Sequence, residues 1–130
     1  MSKLTDYPCM ATLPAQDMDR ARKFYEEKLG FKVASEDDGG VAFESAGMRF
    51  YVFKTMGSPS GTHTQMHFEV DSVENVVADL RERGVKMEIY DMEGFKSDEN
   101  GIVEIPGTNG AKGAFFKDTE GNLLALGEGM

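Results

Sequence analysis

A weak internal repeat limits what this chain can fold into more than any other feature of its sequence. Residues 11–33, ATLPAQDMDRARKFYEEKLGFKV, have a counterpart at residues 67–89, HFEVDSVENVVADLRERGVKMEI. In each copy a strand-like run leads into an amphipathic segment, which ends at a glycine followed directly by another apolar run. The repeat predicts two similar units of strand, helix and strand. Any two units of this kind would look alike, however, if only their helices were compared.

The predicted helices carry boundary signals in both copies. Asp17 and Ser72 can accept a hydrogen bond from the exposed N–H groups of a first helical turn. Gly30 and Gly84 can adopt the left-handed conformation that ends a helix. Apolar residues recur between these boundaries at three- and four-residue steps, at Met18, Ala21, Tyr25 and Leu29 in the first copy and at Val73, Val76, Val77 and Leu80 in the second. Each helix therefore has one apolar face.

The remaining apolar runs predict strands that form hairpins. The runs and their turns are 41–45 and 48–54 around Ala46–Gly47, and 112–118 and 122–127 around 119–121. With an apolar strand that begins at Val85, each half of the chain is interpreted as a strand, a helix and three further strands.

The chain is interpreted as one domain, residues 1–130, built from two modules. Module 1 covers about residues 5–57 and module 2 about residues 62–130, with SPSG at 58–61 as the linker. Residues 91–111 are rich in glycine and proline, so they are predicted to be mostly loop with a short strand near residues 102–105.

Composition is typical of a compact globular domain and argues against several partners. The chain has 130 residues, of which 40% are hydrophobic and 28% charged, and this is enough for a real core. No apolar run approaches the ~20 residues that span a bilayer, and the first ten residues lack the core of a secretory signal. The formal charge of −9 and the lack of a basic cluster argue against nucleic acid and anionic membranes. A single cysteine, Cys9, fits a reducing compartment, so a cytoplasmic location is expected.

Two stretches resemble a known superfamily. Residues 17–33, DMDRARKFYEEKLGFKV, resemble a pattern of Asp, a short helix, Phe-Tyr and Leu-Gly-Phe. Residues 116–126, FKDTEGNLLAL, are similar to an Asp-Pro-Asp-Gly-Asn turn before a final strand, with Thr119 in place of the proline and Glu120 in place of the second aspartate. Both patterns are typical of the vicinal-oxygen-chelate superfamily, which contains glyoxalase I, bleomycin-resistance proteins and extradiol dioxygenases.

This resemblance covers nearly the whole chain and implies an α+β fold. Two tandem βαβββ modules would form curved mixed sheets around a cavity, with the helices outside. Successive side chains of a strand face opposite ways, so positions that do not suit the helices are left for the cavity. On this parity Cys9, Ala11 and Leu13 face the helices, and Cys9 is interpreted as a small core residue.

The expected ligand-binding residues follow from the same parity. They are Met10, Thr12, Tyr51, Phe53, Gln65, His67 and Ala125 on the strands, together with Phe95 in the long loop. Phe95 either closes over a ligand or anchors the loop by burial. The set mixes apolar area with a few polar groups, as ligand pockets usually do.

The resemblance also implies four positions for metal ligands, where metal-dependent relatives carry His, Glu or Gln. Here they are occupied by Met10, Tyr51, Gln65 and Ala125. Only the Gln65 amide suits a hard divalent cation, because a thioether and a methyl group do not bind one. His63 and His67 form no alternative site, since they would lie ~13 Å apart in an extended strand. No metal and no cofactor are therefore predicted.

His67 has two interpretations. It could bind a ligand or act with Glu69 as an acid or base, because an imidazole can do either near neutral pH. It could instead be an ordinary strand histidine held by a hydrogen bond to Glu69 or Thr12. His67 and Glu69 are weak catalytic candidates, and no catalytic residue is assigned.

Three functions are compatible with these residues. The preferred one is a glyoxalase- and bleomycin-resistance-like protein that binds a small organic molecule without a metal. The alternative is a metal-dependent or metal-free lyase, isomerase or dioxygenase of the glyoxalase type, so whether the protein is an enzyme stays open. In a third, side chains fill the cavity and the protein acts through its surface. The resemblance further implies a homodimer.

Overall fold

Two four-stranded sheets, a small two-stranded sheet and two helices make up the fold of residues 3–129, the residues that the computed structural model describes. Met1, Ser2 and Met130, which belong to the predicted domain 1–130, lie outside the described residues. No helix within residues 3–129 has both the length and the apolar character needed to cross a membrane.

Module 1 follows the predicted order of elements. A 3-10 turn at Leu4–Asp6 precedes β1 (Ala11–Ala15), α1 (Met18–Lys23), a π-helical turn (Phe24–Lys28), β2 (Lys32–Asp37), β3 (Gly40–Ser45) and β4 (Met48–Lys54). The strand order in the sheet is β1-β4-β3-β2, with β1 parallel to β4 and the other pairs antiparallel.

Module 2 repeats this topology. Its elements are β5 (Thr64–Glu69), α2 (Val73–Glu82), β6 (Asp91–Met92), β7 (Phe95–Lys96), β8 (Val103–Glu104), β9 (Lys112–Lys117) and β10 (Leu123–Glu128). The strand order is β5-β10-β9-β8, with β5 parallel to β10. The α+β fold of two modules with mixed sheets is therefore confirmed, whereas the exact limits of the modules stay predictions.

The strand predicted to begin at Val85 is wrong in extent. Only Met87 forms a bridge, to Phe116, and the next backbone hydrogen bond is the one from Glu88 N–H to Phe115 O, 2.8 Å. The chain then leaves β9 to form the small hairpin β6–β7, and the edge of β9 is completed by the short strand β8. The predicted loop 91–111 therefore contains three short strands.

The predicted turns and helix ends are confirmed in detail. The side chain of Asp17 accepts a hydrogen bond from Arg20 N–H at 3.0 Å, and that of Ser72 accepts one from Asn75 N–H at 3.2 Å. Gly30 and Gly84 end the helices with φ of 81° and 87°. The π-helical turn was not predicted, because the inserted residue leaves the apolar spacing almost unchanged.

One core joins the two modules. Leu13, Phe50 and Val52 of module 1 belong to the same buried cluster as Leu124 and Leu126 of module 2, as the strand parity predicts. The rings of Phe31 and Phe68 stack across the modules with centroids 5.8 Å apart. Cys9 departs from the prediction: it is exposed, because regular β-structure begins only at Ala11.

Candidate functional site

A cleft of about 520 Å³ opens where the beginnings of β1 and β4 approach β5, and we call it the seam cleft. Its walls include Met10, Met48, Arg49, Gln65, His67 and Glu69, together with apolar side chains from the edge of the core. A larger depression of about 900 Å³ runs along α1, but exposed charged side chains such as Asp19, Lys23 and Glu27 line it. The seam cleft is therefore the better candidate for a binding site.

The seam cleft brings together three of the predicted ligand-binding residues. Met10, Gln65 and His67 line it, and the weak catalytic candidate Glu69 lies beside them. Strand alternation explains the positions of His67 and Glu69, which are exposed while Met66 and Phe68 pack against the core. Gln65 lies at a register shift of the β5–β10 ladder, between Thr64 and Met66. Thr12, Tyr51, Phe53, Phe95 and Ala125 do not line the cleft. The ligand-binding roles themselves stay predictions.

Tyr51 is held away from the seam cleft by the turn between β2 and β3. Its hydroxyl donates a hydrogen bond of 2.8 Å to Asp37 Oδ1, and the same oxygen accepts the N–H groups of Gly39 and Gly40. The Tyr51 bond and these backbone bonds lower the pKa of Asp37, and the bond to Asp37 raises the pKa of Tyr51. The Tyr51 hydroxyl therefore stabilises the β2–β3 turn through its hydrogen bond to Asp37.

The cavity face of module 2 is filled by aromatic side chains. Phe115 lies directly opposite Ala125 in the ladder between β9 and β10, so the two side chains share a face. Tyr90 and Phe95 pack on Phe115 with ring centroids 5.5 and 6.1 Å away, and Ala125 is buried. Phe95 is half-buried in this cluster, and its two roles, closing over a ligand or anchoring the loop, both stay predictions. Desolvation among these rings and the nearby Glu88 charge raise the pKa of Tyr90.

The polar atoms of the seam cleft are unevenly satisfied. His67 Nε2 lies 3.3 Å from Glu69 Oε1. Gln65 Oε1 is buried and has no hydrogen-bond partner within residues 3–129. An acceptor in this state costs free energy, roughly 1–3 kcal/mol, unless a bound molecule or water donates to it.

Two further residues of the cleft wall, Arg49 and Met48, are not among the predicted ligand-binding residues. Strand parity places Arg49 on the cavity face with Tyr51 and Phe53, but parity alone assigns it no role. Met48 stands at the first position of β4, where Ser45 and Met48 close the hairpin, and no sequence signal marks it as part of a cleft.

The residues present do not fit the metal site that the fold implies. Ala125 offers a methyl group beneath the aromatic side chains, and the Tyr51 hydroxyl is already bound to Asp37. Throughout residues 3–129, no three His, Cys, Asp or Glu side chains are grouped so that they could hold a metal ion. Gln65 is the only remaining donor of the four positions, and one amide does not make a metal site.

The stretches that resemble the superfamily have a structural role. Tyr25 OH donates a 2.6 Å hydrogen bond to Asp118 Oδ2, and the Asp118 carboxylate also accepts N–H groups of Glu120 and Asn122. Tyr25, Asp118 and Asn122 are all buried. Glu120 accepts the backbone N–H groups of Gln16 and Asp17 at 3.0 and 3.1 Å. These contacts fasten the β9–β10 turn of module 2 to the start of α1.

Two βαβββ modules with a cleft at their seam define the class of this protein. The chain matches the Glyoxalase/Bleomycin resistance protein/Dioxygenase superfamily over residues 9–126 and belongs to it. The resemblance to the vicinal-oxygen-chelate superfamily is thus confirmed.

Solved structures of similar fold come from several bacteria. A glyoxalase family protein from Enterococcus faecalis is 23% identical, with a TM-score of 0.71 over 97% of this chain and 100% of that one. The fosfomycin resistance protein FosX from Listeria monocytogenes is 17% identical, with a TM-score of 0.69 over 95% and 93%. A lactoylglutathione lyase from Agrobacterium tumefaciens is 19% identical, with a TM-score of 0.66 over 98% and 96%. At these identities the likeness extends to the fold alone. No curated protein matches the chain significantly.

Proposed function

We propose that this protein binds a small organic molecule in the seam cleft without a metal ion. The observation that carries the proposal is the composition of the cavity: three of the four metal positions, Met10, Tyr51 and Ala125, hold unsuitable groups, yet a cleft remains open beside them. Its volume of about 520 Å³ suits a small organic molecule. Met10 and Met48 supply apolar contact, and Gln65 and His67 supply polar groups, as in most ligand sites.

The alternative is an enzyme of the glyoxalase type, a lyase, isomerase or dioxygenase. The pair of His67 and Glu69, 3.3 Å apart in the cleft, favours a metal-free version because it could accept and return a proton. A metal-dependent version would need ligands other than the four family positions. The names of the similar structures include a lyase and a fosfomycin resistance protein, and those activities belong to those proteins.

The wider proposal concerns partners and location. A small-molecule ligand and a second copy of the chain are the expected partners, and neither nucleic acid nor a membrane surface is. The formal charge of −9 supports these exclusions because phosphates would be repelled. A cytoplasmic location and a homodimer are expected from the single cysteine and from the superfamily.

A thermal-shift screen of small molecules, run with and without EDTA, tests the proposal. A ligand that binds only the native state raises Tm, and the increase should be the same in EDTA if no metal takes part. Met10→Trp should abolish the increase by filling the cleft. Met92→Trp is the matched control, because Met10 and Met92 are 55% and 53% exposed and Met92 lies on the hairpin β6–β7.

Different results would favour the other functions. Stoichiometric nickel, zinc or iron in the purified protein, with turnover lost in EDTA, would replace the proposal by the metal-dependent enzyme. Turnover that survives EDTA but is lost in His67→Gln would establish the metal-free enzyme. A broad screen in which no compound raises Tm would leave a protein that acts through its surface.

A further inference from the structure

We propose that the ligand is a small organic anion whose carboxylate or similar oxyanion binds Arg49. This inference rests on the proposed function and names the ligand class for the same cleft. The ligand would also carry an apolar body and one N–H or O–H group directed at Gln65. Three features of the cleft wall support this assignment, and each concerns a different part of the ligand.

The first feature is the state of Arg49. The other arginines of residues 3–129 all have partners: Arg20 with Glu120, Arg22 with Glu26 and Glu36, Arg81 with Asn100, and Arg83 with Asp79. Within the same residues the Arg49 guanidinium has no ion pair or hydrogen bond, although Glu44 lies directly opposite it in the β3–β4 ladder and the chain carries 23 acidic against 14 basic side chains. A guanidinium group presents several N–H donors in a planar fork that matches a carboxylate, and here the fork lies at a cleft with no protein carboxylate bound to it.

The second feature is how the negative charge of the cleft is placed. Glu69 is the one carboxylate among the residues that line it, and its Oε1 lies 3.3 Å from His67 Nε2. Glu69 therefore has a neighbour that can carry positive charge. Glu44, the carboxylate directly opposite Arg49 in the β3–β4 ladder, neither lines the cleft nor forms an ion pair with Arg49 within residues 3–129. This arrangement favours an anionic ligand over a cationic one. The net charge of −9 acts from farther away and is screened over about 8 Å at physiological salt. The contact with Arg49 therefore determines which ligand charge the cleft prefers.

The third feature is the buried acceptor Gln65 Oε1, which lacks a partner within residues 3–129. Gln65 as a whole is half-buried and lines the cleft, so its amide can turn towards a bound molecule. An N–H or O–H donated to the oxygen would then recover the free energy lost by its burial. Phe50 and Phe68 contribute apolar surface to the cleft in addition to the two methionines. The three features together define an amphipathic organic acid with a hydrogen-bond donor.

Matched sets of compounds that differ only in charge test this inference. One set is indole-3-acetate, indole-3-acetamide and tryptamine, and the other is 4-phenylbutyrate with its amide and its amine. Affinities would be measured by calorimetry and by ¹H–¹⁵N spectra of the full chain at fixed ionic strength. In each set the anion should bind most tightly, with changes at backbone amides of β4 and β5. In the indole set, 1-methylindole-3-acetate should bind several-fold more weakly than indole-3-acetate, because it cannot donate to Gln65.

Variants separate the role of Arg49 from general charge effects. Arg49→Gln should weaken the anions about tenfold or more and change the amides by less than about twofold, because one charge-assisted contact is lost. Arg49→Lys keeps the charge but not the fork and should fall between these values. Arg83→Gln is the control: it removes the same charge at the C-terminal end of α2, outside the seam cleft, and should leave the affinities for the anions and for the amides unchanged.

The outcomes distinguish this inference from the proposed function. Amides or amines that bind the cleft as tightly as the acids, or an Arg49→Gln variant that binds the anions normally, would overturn the anion assignment and leave the binding function standing. The assignment would also fall if neither anion bound while other compounds of a broad screen entered the cleft. If no compound of any charge bound, the inference and the proposed function would fall together.

Discussion

At the scale of single residues, two tyrosines make the same kind of hydrogen bond in opposite surroundings. Tyr25 OH reaches Asp118 at 2.6 Å inside the core, and Tyr51 OH reaches Asp37 at 2.8 Å at the surface. Burial is the main reason why the pKa of Tyr25 lies well above its ordinary value, and the neighbouring Asp118 charge adds to the effect. The Tyr25 phenol therefore stays a donor to the buried carboxylate.

Removing these two hydroxyl groups should have unequal effects on stability. Tyr25→Phe should lower the free energy of unfolding by about 1–3 kcal/mol, because the buried Asp118 carboxylate loses a donor that water cannot replace. Tyr51→Phe, the matched control, should cost at most about 1 kcal/mol, since water can solvate Asp37. Urea unfolding of both variants measures the difference. Equal losses would contradict the structural role given to the Tyr25–Asp118 contact.

Strand alternation predicts which face a side chain occupies but not what it meets there. It placed Met10, Gln65 and His67 on the cavity face, and the structure brings them to one cleft. It could not show that Tyr51 is bound by an aspartate 14 residues earlier, because that contact depends on the β2–β3 turn. It also could not show that the β5–β10 ladder skips Gln65, between Thr64 and Met66, or that Gln65 Oε1 is left without a partner within residues 3–129.

At the scale of elements, the hairpin β3–β4 turns at Ala46 and Gly47, whose φ angles are 49° and 83°. Two successive positive φ values in a two-residue loop match the type I′ turn, for which Asn-Gly is preferred. Ala46 is the only non-glycine residue with positive φ within residues 3–129. The sequence predicts the turn but not the strain at its first residue, because alanine has no preference for the left-handed conformation.

Replacing Ala46 should therefore stabilise the protein. Ala46→Asn should raise the free energy of unfolding by about 0.5–1 kcal/mol, since asparagine tolerates the left-handed region better than alanine does. Ala78→Asn, an exposed site on α2, should instead lower it by roughly half a kcal/mol through helix propensity. Chemical denaturation of both variants measures these changes in the free energy of unfolding. A destabilised Ala46→Asn variant would show that the turn is not limited by backbone conformation.

Short elements explain most of what the sequence did not predict. Long periodic segments such as α2 were recognised, with Ser72 and Gly84 at their ends. The strand expected at Val85 was reduced to one bridge because the hairpin β6–β7 draws the chain away from β9. That hairpin has two residues on each side and is held by the packing of Tyr90 and Phe95 on Phe115, a contact with no local sequence signal.

At the scale of the whole molecule, Glu120 connects the modules. Its side chain is only 2% exposed, and it accepts hydrogen bonds from Arg20 and from backbone groups at the start of α1. Burial alone would raise the pKa of Glu120, but the hydrogen bonds from Arg20, Asp17 N–H, Thr119 and Gln16 N–H lower it to about 2. Glu120 is thus kept ionised in the folded protein to a pH at which it would otherwise be protonated.

This depressed pKa predicts a pH dependence with a definite sign. The stabilisation should be complete above the ordinary value of 4.5 and should be lost as pH falls towards 2. Glu120→Gln should remove roughly 1–3 kcal/mol at pH 7 and should flatten the stability profile between those two pH values. Glu74→Gln, which breaks the surface pair with Lys112, should have a much smaller effect both on the free energy of unfolding at pH 7 and on its pH dependence. If the stability of Glu120→Gln still fell between pH 4.5 and 2 as steeply as that of the original protein, this role of Glu120 would be contradicted.

The walls of the seam cleft stand largely on hydrogen-bonded strands, with β1 and β4 on one side and β5 on the other. Backbone ladders of this kind restrict how far a side chain can shift when a guest arrives. Binding then costs little free energy for ordering the protein, but the cleft can adapt little to a ligand of a different shape. Discrimination among candidate molecules would accordingly come from a fixed shape and not from closure around them.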